Sequence, residues 1–168
     1  MSVTAAKGFV AAGVACGIRK SGALDLALLR SVERATGAAM FTKNRVQAAP
    51  VLVSKVHLAA AEPQAVVVNS GTANAATGMR GEIDAIATAS EAARLLGLQT
   101  EEVLVLSTGV IGAPLPLGNV RDGLKNAAAS LSPAGGAAAA EAILTTDTRT
   151  KTAAAAGPGF TVGGMAKG

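Results

Sequence analysis

The sequence predicts an α/β fold, a mixed sheet with helices packed on it, and three observations carry that prediction. Two short runs, Ala65-Val66-Val67-Val68-Asn69 and Val103-Leu104-Val105-Leu106, are continuously apolar and rich in β-branched residues, the pattern of strands buried on both faces. Other segments place apolar residues at helical spacing and are bounded by proline or glycine. Strand-like and helix-like segments intermix along the 168 residues with no internal repeat and no long linker, so a single α/β domain over residues 1–168 is expected.

The first element covers residues 8–18, an apolar stretch punctuated by glycines that suits a strand packed backbone to backbone. After Ser21-Gly22, the run Leu24-Asp25-Leu26-Ala27-Leu28-Leu29 is short enough for a buried strand, and Ala38-Ala39-Met40-Phe41-Thr42 reads as another. Pro50 opens a helix carrying Val51, Leu52, Val53, Val56 and Leu58, because proline is tolerated in a first turn; Pro63 closes it. His57 lies on this helix without an acidic or histidine neighbour in sequence, and is expected to be an ordinary surface or core histidine.

The strand at 65–69 feeds the glycine turn Ser70-Gly71. Gly81 precedes a helix in which Ile83, Ile86, Ala87, Ala93 and Leu96 share one face, with Gly97 as its C-terminal cap. The strand at 103–106 follows, then a helix from about Leu117 to Leu131 with Val120, Leu124 and Ala128 on one stripe and Pro133 beyond it. An alanine-rich stretch runs from Gly135-Gly136 to Leu144. Residues 153–159 are small and read as a loop, whereas Phe160-Thr161-Val162 alternates like a strand.

Half of the residues are apolar, enough for a sizeable core, but alanine dominates and there are three Phe and no Trp or Tyr. Small side chains must pack with backbones close together, and a chain with so little bulky core gains from a partner chain. The net charge of +4 is scattered over Lys20, Arg30, Lys43, Arg80, Arg94, Lys125 and Lys151. Without a basic block or aromatic residues to stack bases, nucleic acid is not an expected partner.

One cysteine and one histidine allow neither an internal disulfide nor a metal cluster. Cys16, within Gly13-Val14-Ala15-Cys16-Gly17, reads as a small core residue rather than a nucleophile. No basic region followed by an apolar core opens the chain, and no run approaches the roughly 18 apolar residues of a membrane span. A cytoplasmic protein, neither exported nor membrane-bound, is expected.

Three strand-to-turn junctions set small polar side chains beside glycine or aspartate: Asn69-Ser70-Gly71-Thr72-Ala73-Asn74, Ser107-Thr108-Gly109-Val110-Ile111-Gly112 and Thr145-Thr146-Asp147-Thr148. A Thr-Gly pair at such a turn can offer a hydroxyl and an approachable backbone N–H to one oxyanion, the arrangement that stabilises an acyl-transfer intermediate. The plain alternative is a tight turn capped by Ser, Thr or Asn. No phosphate-binding Gly-x-x-x-x-Gly-Lys-[Ser/Thr] pattern is present. Lys167, among small residues near the end, can pair with a substrate carboxylate or be solvated.

In order and wording these segments resemble the ornithine acetyltransferase family, the bifunctional glutamate N-acetyltransferase/amino-acid acetyltransferases, over essentially the whole chain. The likeness is carried by Gly8-Phe9-x-Ala11-Ala12-Gly13 with Gly22-Ala23-Leu24-Asp25-Leu26-Ala27, by Val68-Asn69-Ser70-Gly71-Thr72-Ala73-Asn74-Ala75, by Ser107-Thr108-Gly109-Val110-Ile111-Gly112, by Thr145-Thr146-Asp147 and by Val162-Gly163-Gly164-Met165-Ala166-Lys167-Gly168.

The resemblance implies the α-chain part of a self-cleaving fold completed by a β chain, whose new N-terminal threonine is the nucleophile. It implies that Thr108 and Gly109 form the oxyanion hole, and that Thr145 and Lys167 contact the amino-acid substrate, with Thr146 left open beside Thr145. The implied reaction moves an acetyl group from N-acetylornithine to glutamate in arginine biosynthesis, in a heterotetramer of two α and two β chains. No metal or bound cofactor is expected, and acetyl-CoA stays open as a second acetyl donor.

Two departures accompany the likeness. Thr72 stands where the family's asparagine loop has its middle Asn, and Gly168 falls short of the family's Met-Ala-Thr cleavage segment. Two other readings stay open: a self-cleaving amidase or aminopeptidase whose acyl-enzyme is captured by water, and a binding or structural module without chemistry.

Overall fold

In the computed structural model, which describes residues 2–167, four strands form one sheet in the order β1-β2-β3-β4: Phe9–Val14, Leu26–Ser31, Ala65–Thr72 and Val103–Val110. The first three run antiparallel, and β3 and β4 run parallel, so the sheet is mixed as expected. A parallel pair needs a crossover, and helix α2, Gly78–Leu96, provides it. The C-terminal ends of β3 and β4 therefore emerge side by side.

Strand alternation divides the core. Leu26 and Leu28 of β2 join Val67, Val103 and Val105 in one cluster with Val53, Leu96, Val120 and Leu124, which come from helices α1 (Ala49–Ala60), α2 and α3 (Leu117–Ala129). Ala27, between the two leucines, faces the other side with Ala11, Ala139, Ala142 and Ile143, where helix α4, Gly136–Ala142, packs. Helix α1 also finishes the outer edge of the sheet. Ser54 Oγ donates to Val105 O (2.8 Å) and accepts from Val105 N (3.0 Å), and His57 Nδ1 donates to Val103 O (2.8 Å). His57 is the ordinary core histidine expected, buried and committed to a backbone carbonyl.

Three expectations need correction. Residues 38–42 form no strand: the chain from 32 to 48 is irregular and Met40 is fully exposed. Both edges of β2 are already paired, to β1 and β3, so this stretch cannot pair with the strand it follows. Instead it hangs on side chains, with Gln64 exchanging hydrogen bonds with Ala35 N and O and Glu62 accepting from Gly37 N.

The buried face of α2 is also different. It consists of Gly81, Asp84, Ala85, Thr88, Ala89, Ala92, Ala93 and Leu96, whereas Ile83 and Ile86 are about half exposed. Small residues let the helix approach its neighbours closely, and that approach sets its rotation against the hydropathy of the two isoleucines. Gly97 does cap the helix in the left-handed conformation, φ +67°.

Finally, the expected loop at 153–159 is largely strand β5, Lys151–Gly157, paired antiparallel with β6, Phe160–Ala166. Alanine has little strand preference. The two-residue turn Pro158-Gly159, with Gly159 at φ +78°, closes the hairpin and cross-strand pairing does the rest. Among the described residues, no helix is long and apolar enough to cross a membrane.

Candidate active site

The parallel register sets Asn69 against Ser107, Ser70 against Thr108 and Gly71 against Gly109, so two of the three polar turns become one surface. There the ladder turns irregular: Thr72 pairs with both Thr108 and Val110. Gly109 has φ +134°, and a Cβ on it would fall 2.3 Å from Gly71 C and 2.6 Å from Thr72 N. Only glycine allows β4 to turn this tightly against β3.

Buried polar groups support that surface from beneath. Ser70 Oγ donates to Ala142 O at the end of α4 (2.7 Å), and Ser70 N donates to Asp25 O (2.8 Å). The buried Asp25 carboxylate accepts from Cys16 N (2.7 Å) and Arg19 N (2.8 Å), shaping the 16–19 loop against the strand ends. Asn74, buried at φ +47°, donates from Nδ2 to Gly81 O and accepts from Thr77 Oγ1, which joins the asparagine turn to the start of α2.

Cys16 is the packed thiol expected. Burial, then the Asp25 carboxylate beside it, pushes its pKa up to about 12. The unfolded thiol loses its proton near pH 9, so the folded chain holds a proton that the unfolded chain has released across roughly pH 9–12. The thiol's contribution to stability is complete below that window and falls as pH rises through it. Wild type minus Cys16→Ala, measured by urea unfolding, is expected to show a stability difference that is flat below pH 8 and declines above pH 9.

Thr108 and Lys167 line a common cavity of about 520 Å³, together with Ser107, Val68, Ile143 and Met165. Thr108 is half-buried and Lys167 exposed, so a hydroxyl of β4 and a cation just beyond β6 share one opening to solvent. Gly109 and Thr145 are not in this wall. Gly109 continues the Thr108 turn, and Thr145 lies two residues beyond Ile143, which does line it. The segment at Thr145 follows helix α4 rather than a strand, correcting its expected setting; Thr145 is half-buried, Thr146 exposed, and Asp147 is bonded to Lys151 at the start of β5 (2.8 Å). Gly168, the last residue of the lysine motif, lies outside the described residues.

A second cleft of about 550 Å³, between the hairpin and α4, is walled by alanines, Pro133, Ser2 and threonines and presents no charged side chain. The cavity at Thr108 differs from it in carrying a charged side chain, that of Lys167. Among the described residues no group of three or more His, Cys, Asp or Glu is placed to hold a metal. Sequence reasoning missed a direct bond between the two turns: Ser107 Oγ donates to Asn69 Oδ1 at 2.6 Å. Its only signal was that both turns follow strands joined by a crossover helix.

The ArgJ family profile matches residues 10–168. The arginine biosynthesis bifunctional protein ArgJ of Streptomyces coelicolor is 54% identical over 169 residues, covering 100% of this chain and 44% of its own length. That of Symbiobacterium thermophilum is 51% identical, covering 99% and 43%. Among solved structures, the ornithine acetyltransferase of Mycobacterium tuberculosis, crystallised with ornithine, superposes with a TM-score of 0.96 at 45% identity over 99% of this chain and 91% of that one. ArgJ of Bacillus halodurans gives 0.91 at 40% identity over 100% and 90%. The chain thus spans under half the length of the curated relatives it matches.

Proposed function

The chain belongs to the ArgJ family, and from that premise we propose that it supplies the oxyanion hole and part of the substrate site of an acetyl-transferring enzyme of arginine biosynthesis. The observation that carries this reading is the shared cavity of Thr108 and Lys167, set beside the glycine-restricted turn at Gly109. A solved relative crystallised with ornithine supports the choice of substrate class.

The nucleophile in this reading is the N-terminal threonine of a β chain, cut from the same precursor and assembled with this chain as a heterotetramer of two α and two β chains in the cytoplasm. Its hydroxyl attacks the acetyl carbonyl of N-acetylornithine while its own α-amine takes the proton. The carbonyl electrons move onto oxygen, where the Thr108 hydroxyl and the Gly109 N–H stabilise the charge. Collapse expels ornithine, whose nitrogen takes up the proton, and leaves an acetyl ester on the threonine. The amine of glutamate then attacks that ester through the same oxyanion, giving N-acetylglutamate and the free threonine. Lys167 pairs with the substrate carboxylate and Thr145 contacts the amino-acid portion. The reaction needs no metal or bound cofactor, and acetyl-CoA enters only as an alternative acetyl donor.

The test is transfer of acetyl from N-acetylornithine to glutamate by the full precursor-derived enzyme. Thr108→Ala is expected to lower kcat about 100-fold, the usual effect of losing one oxyanion donor. A rate within about twofold of wild type would remove Thr108 from the oxyanion hole, and glutamate-independent release of acetate at the wild-type rate would make the enzyme an amidase instead.

A further inference from the structure

We propose that Asn69 is a positioning residue of the acyl-transfer site, acting through Ser107 to hold the turn that carries Thr108 and Gly109; this rests on the reading of those two residues as the oxyanion donors. Asn69 is 3% exposed and does not line the cavity, yet both ends of its amide are engaged. Oδ1 accepts from Ser107 Oγ at 2.6 Å, and Nδ2 donates to Thr72 O at 2.8 Å.

These two bonds straddle the point where the β3-β4 ladder loses its regular register. Asn69 and Ser107 are direct partners, and within the next three residues Thr72 is paired with both Thr108 and Val110. Backbone ladder bonds alone leave such a stretch loosely specified, because several pairings are of similar energy. The amide removes that freedom. One end fixes β4 immediately before Thr108, and the other fixes the carbonyl of Thr72, the residue whose preceding peptide, Gly71–Thr72, Gly109 turns against. Oxyanion donors act only when held in place before charge develops, and a misplacement near 1 Å can cost about 100-fold. A residue that sets this alignment should therefore govern kcat, with little effect on how substrate binds at Lys167.

The experiment measures kcat and KM for acetyl transfer in the full enzyme, per active site titrated as acetyl-enzyme, for Asn69→Ala, Ser107→Ala, the double variant and Ser107→Thr. Each single alanine variant is expected to lower kcat about tenfold or more with KM within twofold. The double variant should be no slower than the slower single one, because both remove one link. Ser107→Thr keeps the hydroxyl and should recover kcat to within about threefold of wild type.

A rise in KM at unchanged kcat, multiplicative losses in the double variant, or no recovery in Ser107→Thr would overturn the proposal. If Asn69→Ala does not fold, the two Ser107 variants decide alone, since they leave Asn69 in place. Thr108→Ala run alongside separates the two ideas: loss of rate there with none at Asn69 and Ser107 sinks this inference, whereas no loss at Thr108 sinks the oxyanion reading itself.

Discussion

Gly109→Val is expected to lower acetyl transfer about 1,000-fold or more and to destabilise the fold as well, the largest effect of any single substitution at the proposed site. Two independent penalties meet at this position. The φ of +134° lies where side chains are strained, at about 1–3 kcal/mol, and the Cβ would sit within 2.6 Å of three backbone atoms of Gly71 and Thr72. Backbone atoms cannot rotate aside as a side chain can. Relief therefore requires the end of β4 to leave β3, carrying Thr108 with it. The effect on kcat should approach the upper range for a lost oxyanion donor, because hydroxyl and N–H are displaced together.

Gly112→Val provides the comparison. Gly112 also has positive φ, at +83°, but a Cβ there meets nothing within 4 Å, so it carries the conformational penalty without the collision. Kinetics and thermal unfolding of both variants would separate the effects. If Gly109→Val transferred acetyl within tenfold of wild type, the close approach of β4 to β3 would not be what holds the site.

The elements that sequence alone located are those whose cause is local. The β-branched run at 65–69 and the aliphatic run at 103–106 have little choice but extended structure in a core, and Pro50 fixes the start of α1. What depended on partners was hidden. Residues 38–42 have strand-like chemistry but pair with no strand, while the alanines of β5 have poor chemistry and an obliging neighbour in β6.

Rotation of α2 was hidden for a related reason. Its contact surface is a stripe of Ala, Gly and Thr, and hydropathy weighs Ile83 and Ile86 above them although close approach does not. At the candidate site, the glycine of the Thr108-Gly109 turn was legible as a tight turn, whereas the role of that turn came only from the resemblance. The meeting of Thr108 with Lys167 was not legible from spacing, since the β5-β6 hairpin has to return the lysine to the cavity wall. The Asn69–Ser107 bond is likewise a product of register, which no local pattern encodes.

The same rule of close backbones makes Gly13→Ala an expected large single-methyl loss of stability. A Cβ at Gly13 would lie 2.1 Å from Ala138 O and 2.8 Å from Ala139 N, in the backbone of α4. From the other side, a Cβ at Gly135 would lie 1.8 Å from Ala11 O, so β1 and α4 touch through glycine on both partners. Neither surface has a side chain that can repack. Overpacking normally costs about 1–3 kcal/mol, and with backbone on both sides the loss should lie near 3 kcal/mol.

Displacement of α4 would also reach the site. The Ala142 carbonyl anchors Ser70 and Ile143 lines the cavity, so KM for the amino-acid substrate should rise together with the fall in urea midpoint. Gly118→Ala is the control, since it adds a methyl in helix α3 with nothing within 4 Å and an ordinary φ, and is expected to be neutral or slightly stabilising. A Gly13→Ala protein with the urea midpoint of Gly118→Ala would mean that α4 does not rest on β1 as closely as the fold requires. In that case the packing logic of an alanine-rich chain, in which missing side-chain bulk is replaced by backbone proximity, would fail at its tightest point.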